Sequence, residues 1–322
     1  MRYIQGTTEF LIQEDTAVTL GKFDGVHRGH QKLIHRIQNL KKNGLNSVVF
    51  TMNPGKKTLL LTEEEQKEIL ARQGVDYVVR CPFIPQISHM EPEEFIDQIL
   101  IRQLHAKQIV VGPDFRFGYQ RQGDCKLLEQ LQGQYGYRLV VEKKECRGER
   151  EISSTYIKEA LCSGDIELTN ELLGYPFPII GEVKHGRRIG RTLGIPTMNL
   201  IPIKEKMLPP NGVYISKTVI DEKVYPGITN IGVKPTVGGT SFRGAETYLF
   251  DFDQDLYGKR IEIQLCRYVR PEKKFCSLEE LKERMKIDIS VYKAAPLRKK
   301  QSEDNNNRGF PAEFLLHPAY PG

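Results

Sequence analysis

The six cysteines of this chain form no C-x-x-C pair, and none has a histidine beside it at metal-ligand spacing. That leaves no basis for a cysteine-bound metal, and the reduced thiols of a cytoplasmic protein are expected. Apolar runs are short as well. None approaches the ~20 residues that span a bilayer, and Met1–Gly6 lacks the apolar core of a signal peptide. Clusters of Lys and Arg with interleaved aromatics are absent, so neither nucleic acid nor a membrane is expected as a partner. What is present is ordinary for a globular protein: 39% hydrophobic and 27% charged residues, with a formal charge of +6 that suits small anionic ligands such as nucleotides. At 322 residues, two domains are expected, each long enough to bury its own core.

The chain is organised around Gly21-Lys22-Phe23-Asp24-Gly25-Val26-His27-Arg28-Gly29-His30. Before it, Thr16–Leu20 reads as a short buried strand. After it, Leu33, Ile34, Ile37 and Leu40 recur at helical spacing between Gln31 and Lys42. Strand, glycine-rich turn and helix in direct succession aim backbone N–H groups and the positive end of a helix at whatever lies over the turn. Phosphate is the natural occupant. His27 and His30 are placed at the same anion site, with Gly21, Phe23, Asp24 and Gly29 around them. A metal held by Asp24, His27 and His30 is the competing reading, for which no further ligand is indicated.

Strand patterns follow at Ser47–Thr51, Val75–Val79, Gln108–Val111 and Arg138–Glu142, separated by helical patterns over Thr62–Arg72, Pro92–Leu104 and Cys125–Leu131. Thr62 with Glu65 forms a capping box. The alternation predicts a Rossmann-like parallel sheet covered by helices on both faces. Ligands of such sheets bind outside the carboxyl ends of the strands, where the Gly21 turn and a second turn, Gly112–Gly118, lie. From Ile179 the periodicity changes to short β-prone runs, Ile179–Val183, Gly212–Val219, Lys223–Ile228, Glu246–Phe252 and Arg260–Val269, which predict an antiparallel barrel or sandwich. A terminal helix, Ser277 to Tyr292, opens on a second capping box. The boundary is expected near residues 174–178, giving domains 1–175 and 176–295, with residues 296–322 a polar tail expected to be disordered or of read-through origin.

Nucleotidyl transfer needs positioning and positive potential more than covalent help. Besides the histidines, Ile152–Lys158 offers hydroxyls at a helix start, Ser153, Ser154 and Thr155, with a cation one turn on, Lys158. Such hydroxyls also simply cap helices.

Together, Gly21–His30, Gly112–Gly118 and Ile152–Lys158 resemble the adenylyltransferase half of the bifunctional riboflavin kinase/FAD synthetase family. Gly186–Asn199, Asn230–Thr236, Glu246–Phe252 and Leu256-Tyr257-Gly258 resemble its flavokinase half in composition, order and spacing. The likeness covers about residues 15–294. It implies a nucleotidyltransferase domain followed by a flavokinase-like barrel. The implied reactions are phosphorylation of riboflavin to FMN and adenylylation of FMN to FAD, with Mg2+ and ATP.

Carried over residue by residue, the family's Pro-Thr-x-Asn falls on Pro196–Asn199, so Thr197 and Asn199 are implied to hold magnesium and the ATP phosphates; both are oxygen donors suited to a hard cation. Glu246 is implied to be the base that deprotonates the ribityl 5′-hydroxyl. Gly186, Gly190 and Gly194 are implied to let backbone approach the phosphates. Asp114, Phe115, Arg116 and Phe117 are implied to contact the flavin, although alternation makes one of the two phenylalanines a core residue. Three positions depart from the family pattern, one of them Lys234, which replaces the arginine of Asn-Ile-Gly-x-Arg-Pro-Thr. Asn53 stands where a triphosphate-facing histidine is expected, and Lys158 replaces an arginine, keeping the charge but losing the bidentate fork. The rivals to a two-activity enzyme are a flavokinase with a weak adenylyltransferase domain and a flavin-sensing regulatory protein.

Overall fold

A computed structural model describes residues 1–6, 8–53, 58–184, 196–221, 223–235, 241–273 and 275–294. The polar tail, Gly186, Gly190 and Gly194 lie outside the described residues. The chain folds into two compact units, one from Met1–Lys57 and Gln66–Ser153, the other from Thr58–Glu65 and the chain from Ser154 onward.

The first unit carries a six-stranded parallel sheet built from β1 (Arg2–Gln5), β2 (Thr16–Gly21), β3 (Asn46–Asn53), β4 (Tyr77–Pro82), β5 (Ala106–Val111) and β8 (Arg138–Val141), in the order β1-β4-β3-β2-β5-β8. Five consecutive residues of β2, Thr16 to Leu20, are buried, as a central parallel strand covered on both faces requires. Helix α1 (Arg28–Gln38) buries Gln31, Ile34 and Ile37. It begins three residues before the expected start at Gln31, because the apolar period cannot register the polar first turn that holds the histidines. Strand β1 was not legible in the pattern: its four residues read polar, apolar, apolar, polar, and it owes its place to pairing with β4.

Helix α2 (Glu63–Arg72) leads to β4, and the short α3 (Pro85–Ser88) follows. The expected Pro92–Leu104 helix is present but divided: one turn, α4 (Pro92–Phe95), passes into a wider π-helical stretch, Ile96–Gln103, that buries Ile96, Ile99 and Leu100. Next come the β6 (Arg116–Phe117) and β7 (Gly123–Asp124) pair, α5 (Cys125–Tyr135) capped by the Asp124 carboxylate, and the hairpin of β9 (Cys146–Arg147) and β10 (Arg150–Glu151).

The second unit is a closed six-stranded antiparallel barrel of β11 (Phe177–Lys184), β12 (Thr197–Leu200), β13 (Gly212–Ile220), β14 (Lys223–Pro235), β15 (Ser241–Leu249) and β16 (Arg260–Pro271), in the order β11-β12-β15-β14-β13-β16. Closure removes the exposed edges that an open sheet of this size presents. Strand β15 starts five residues before the expected Glu246 and ends at Leu249, where Phe250 and Asp251 turn away. Helices α6 (Ser154–Ser163) and α7 (Ile166–Leu173) group with the barrel, and α8 (Leu278–Ala294) anchors to it through Arg270 and the buried Asp288 carboxylate at 2.7 Å.

The Thr58–Glu65 segment also belongs to this unit. Glu65 makes the expected capping box, accepting the Thr62 N–H at 2.8 Å while Thr62 Oγ1 accepts the Glu65 N–H. The same carboxylate, fully buried, pairs with the fully buried Lys206 at 2.6 Å and accepts the Ile180 N–H at 3.0 Å. Lys206 completes its shell on the carbonyls of Leu60 and Pro178. A charge pair this deep persists only because its donors and acceptors are satisfied.

Candidate active sites

In the first unit the carboxyl end of β2 runs into a strained turn. Phe23, Gly25 and Val26 all sit at positive φ, 50°, 92° and 37°, and the Phe23 and Val26 side chains are fully buried. Any part Phe23 plays toward a phosphate is therefore through its backbone, since its ring lies under the turn against His30 at 4.8 Å. His27 occupies the N-cap of α1 in extended conformation without a side-chain cap, and the first intrahelical bond is Gln31 N–H to His27 O at 2.9 Å. The first turn of the helix contains no acidic residue, so the helix presents its positive end uncompensated.

The two imidazoles stack with centroids 3.7 Å apart. Burial lowers the His27 pKa to about 4, and burial together with the His27 charge lowers that of His30. Both rings are thus neutral near pH 7, and each offers one N–H. Their Nδ1 atoms are buried with no hydrogen-bond partner among the described residues. A Cβ at Gly29 would lie 3.2 Å from the His27 ring, which would have to shift by a few tenths of an ångström to admit it. The other cations of α1 are engaged with the Glu142–Glu145 stretch: Arg28 pairs with Glu145 at 2.7 Å and Arg36 with Glu142 at 3.5 Å. No group of three or more His, Cys, Asp or Glu residues suited to a metal occurs among the described residues, Asp24, His27 and His30 included.

The backbone of Asn53 ends β3 beside Pro82 of β4. Ser153 closes the first unit, while Ser154, Thr155 and Lys158 open α6 in the second, where the Lys158 ammonium donates to the Thr58 carbonyl at 2.9 Å. At the other expected turn, Phe117 is a core residue, 3% exposed, stacked on the partly buried Phe115 at 5.6 Å. Asp114 is exposed and pairs with Lys144 at 3.2 Å, and Arg116 pairs with Asp124 at 2.7 Å. Gly118 is required by its φ of 71° and by Pro92, whose atoms lie 2.8 Å from where a Cβ would stand.

In the second unit, alternation decides which side chains face outward. Ala245, Thr247 and Leu249 fill the barrel, so Glu246 points outward; Met198 and Leu200 likewise turn Thr197 and Asn199 outward. The register places Asn199, Glu246 and Asn230 in one row across β12, β15 and β14. Thr197 Oγ1 donates to Glu246 Oε1 at 2.7 Å, an acceptor role that only the ionised carboxylate or its bare oxygen fills. Asn230, whose Oδ1 is buried without a partner among the described residues, joins the set. The sequence offered only its place in a motif as a signal. A cavity of about 290 Å3 adjoins Thr197 and is lined by Leu249, Phe252, Asp253, Asp255 and Tyr257 among others. Phe252, in the cavity lining, packs edge-on against Tyr225 at 4.9 Å.

Comparison with known proteins gives two family matches: Riboflavin kinase over residues 173–295 and FAD synthetase over residues 10–156. The bifunctional riboflavin kinase/FMN adenylyltransferase of Escherichia coli K12 is 38% identical over 287 residues, covering 86% of this chain and 91% of that protein. That of Pseudomonas fluorescens is 36% identical over 286 residues, again 86% and 91%. A crystal structure titled macrolide-efflux protein, from Streptococcus pneumoniae, superposes with a TM-score of 0.80 at 29% identity, covering 90% of this chain and 98% of that one. No described helix of this chain is long and apolar enough to cross a membrane.

Proposed function

The chain belongs to the bifunctional riboflavin kinase/FMN adenylyltransferase family, and we propose that its two reactions divide between the two ends of the sequence. In this reading residues 1–175 adenylylate FMN and residues 176–295 phosphorylate riboflavin. ATP is a substrate of both. The observation that carries the kinase assignment is the hydrogen bond to Glu246 from Thr197, a residue that lines the cavity. Glu246 takes the proton of the ribityl 5′-hydroxyl as that oxygen attacks the γ-phosphorus and ADP leaves. The hydroxyl of Thr197 orients the carboxylate and, with Asn199, supplies neutral oxygens. Mg2+ carried on ATP would be held by these oxygens and would neutralise charge on the phosphates.

For adenylyl transfer, the neutral His27 and His30 N–H groups and the start of α1 receive the triphosphate, where charge builds as an FMN phosphate oxygen attacks the α-phosphorus and pyrophosphate leaves. Asp114, Phe115 and Arg116 belong to the flavin side of that site, Phe117 supporting Phe115 from the core. Asn53, Lys158 and the Ser153–Thr155 hydroxyls are assigned to phosphate binding on the family likeness alone.

Supplying riboflavin or FMN separately with ATP and Mg2+ tests the reading. FMN with ADP is expected from the first mixture, and FAD with pyrophosphate from the second. Absence of FAD at high protein concentration would leave only the kinase, and absence of both products would leave the flavin-sensing alternative.

A further inference from the structure

The turn between β2 and α1 is strained, and strain of this kind persists only where surrounding groups hold it. Two buried glutamines do so. Gln31, 3% exposed, donates to the Val26 carbonyl at 2.8 Å. Gln66, 6% exposed and 43 residues further on than Phe23, donates from one amide nitrogen to the carbonyls of Lys22 at 3.1 Å and Phe23 at 2.9 Å. Its amide oxygen accepts from Arg80 at 2.9 Å, which fixes which end of the amide faces the turn. The buried Thr51 hydroxyl adds a second donor to the Lys22 carbonyl at 3.2 Å.

Because a trans peptide is planar, its C=O and the following N–H point in opposite directions. Holding the Lys22 and Phe23 carbonyls toward Gln66 therefore turns the N–H groups of Phe23 and Asp24 to the other side. It also keeps two negative carbonyl ends from facing an anion. We propose that Gln66 is a positioning residue for adenylyl transfer: it sets the peptide orientations of the Gly21–His30 turn and so keeps that turn receptive to the triphosphate. No sequence motif contains it, and it meets the turn at the Lys22 and Phe23 carbonyls, the second of which also accepts the Val26 N–H at 3.1 Å. The proposal rests on the reading that Gly21–His30 is the adenylyl-transfer site.

In the full-length chain riboflavin phosphorylation reports a folded barrel, and an unchanged denaturant midpoint of the first unit reports that the unit holding Gln66 is folded as well. Gln66→Met keeps the shape and loses every hydrogen bond; Gln66→Glu keeps an acceptor for Arg80 and loses the donor. Both are expected to lower kcat for FAD formation from FMN roughly ten- to hundred-fold, with riboflavin phosphorylation at the parent rate. Thr51→Val, which removes only one donor to one carbonyl, is expected to act in the same direction but less. FAD formation within about two-fold of the parent in Gln66→Met, or an equal loss of both reactions, overturns the proposal. Should Gln66→Met give no soluble protein, Gln66→Glu and Thr51→Val decide by the same criteria. His30→Ala separates the two layers: if it too makes FAD at the parent rate, the site reading has failed, whereas a normal Gln66→Met beside a dead His30→Ala rejects Gln66 alone.

Discussion

At the scale of single residues, the histidine pair carries a definite pH signature. Burial holds the folded-state pKa of His27 near 4, against 6.5 for the free side chain, and lowers His30 in the same sense. Between those values the unfolded chain binds more protons than the folded one, so stability is full above about pH 6.5 and falls as the pH drops toward 4. The slope contributed by each ring is at most ~1.4 kcal/mol per pH unit. Urea midpoints measured across this window should fall with pH in the parent and fall less in His27→Gln. A parallel decline in both would show that other groups dominate. Glu246 is a second single-residue case. Its hydrogen bond from Thr197 was not readable, because strand spacing fixes which residues share a face but not which side chains touch.

At the scale of elements, the two-residue β6 and β7 and the single turn of α3 are too short to show a period, whereas the parallel strands β2, β3, β4, β5 and β8 and the longer helices between them were legible because apolar runs and caps are local signals. The Thr62–Glu65 capping box is an example, readable from four consecutive residues and present as expected. That the same carboxylate meets Lys206, 141 positions away, was not legible, since nothing near either residue refers to the other. Lys206→Met strands the Glu65 carboxylate in the interior and is expected to cost about 3–5 kcal/mol, while adding Glu65→Gln should recover part of it. Denaturant melts of the two variants check this, and an unchanged midpoint in the single variant would contradict it. Likewise Gly118→Ala forces a Cβ at positive φ against Pro92 and is expected to destabilise by about 1–3 kcal/mol. The π-helical turns inside the Pro92–Leu104 helix left no trace in the pattern, because apolar spacing marks a buried face and not the hydrogen-bond span of each turn.

At the scale of the whole chain, motif order carried the two-part reading, and the comparisons place the family boundaries at residues 156 and 173. Packing draws a different line: α6, α7 and the Thr58–Glu65 segment go with the barrel. A kinase fragment starting at residue 176 therefore lacks both partners that the Thr58–Glu65 segment gives Lys206, the Glu65 carboxylate and the Leu60 carbonyl. Such a fragment is expected to melt lower than the barrel of the full chain and to gain from Lys206→Met, the reverse of that substitution's effect in the intact protein. The central claim is that one chain holds two separable active sites, with Glu246 serving only one. The most direct measurement is Glu246→Gln in the full-length protein, assayed for both half-reactions. Riboflavin phosphorylation is expected to fall by about a hundred-fold or more while FAD forms from supplied FMN at the parent rate. Phosphorylation at the parent rate, or a matching loss of FAD formation, would contradict the account.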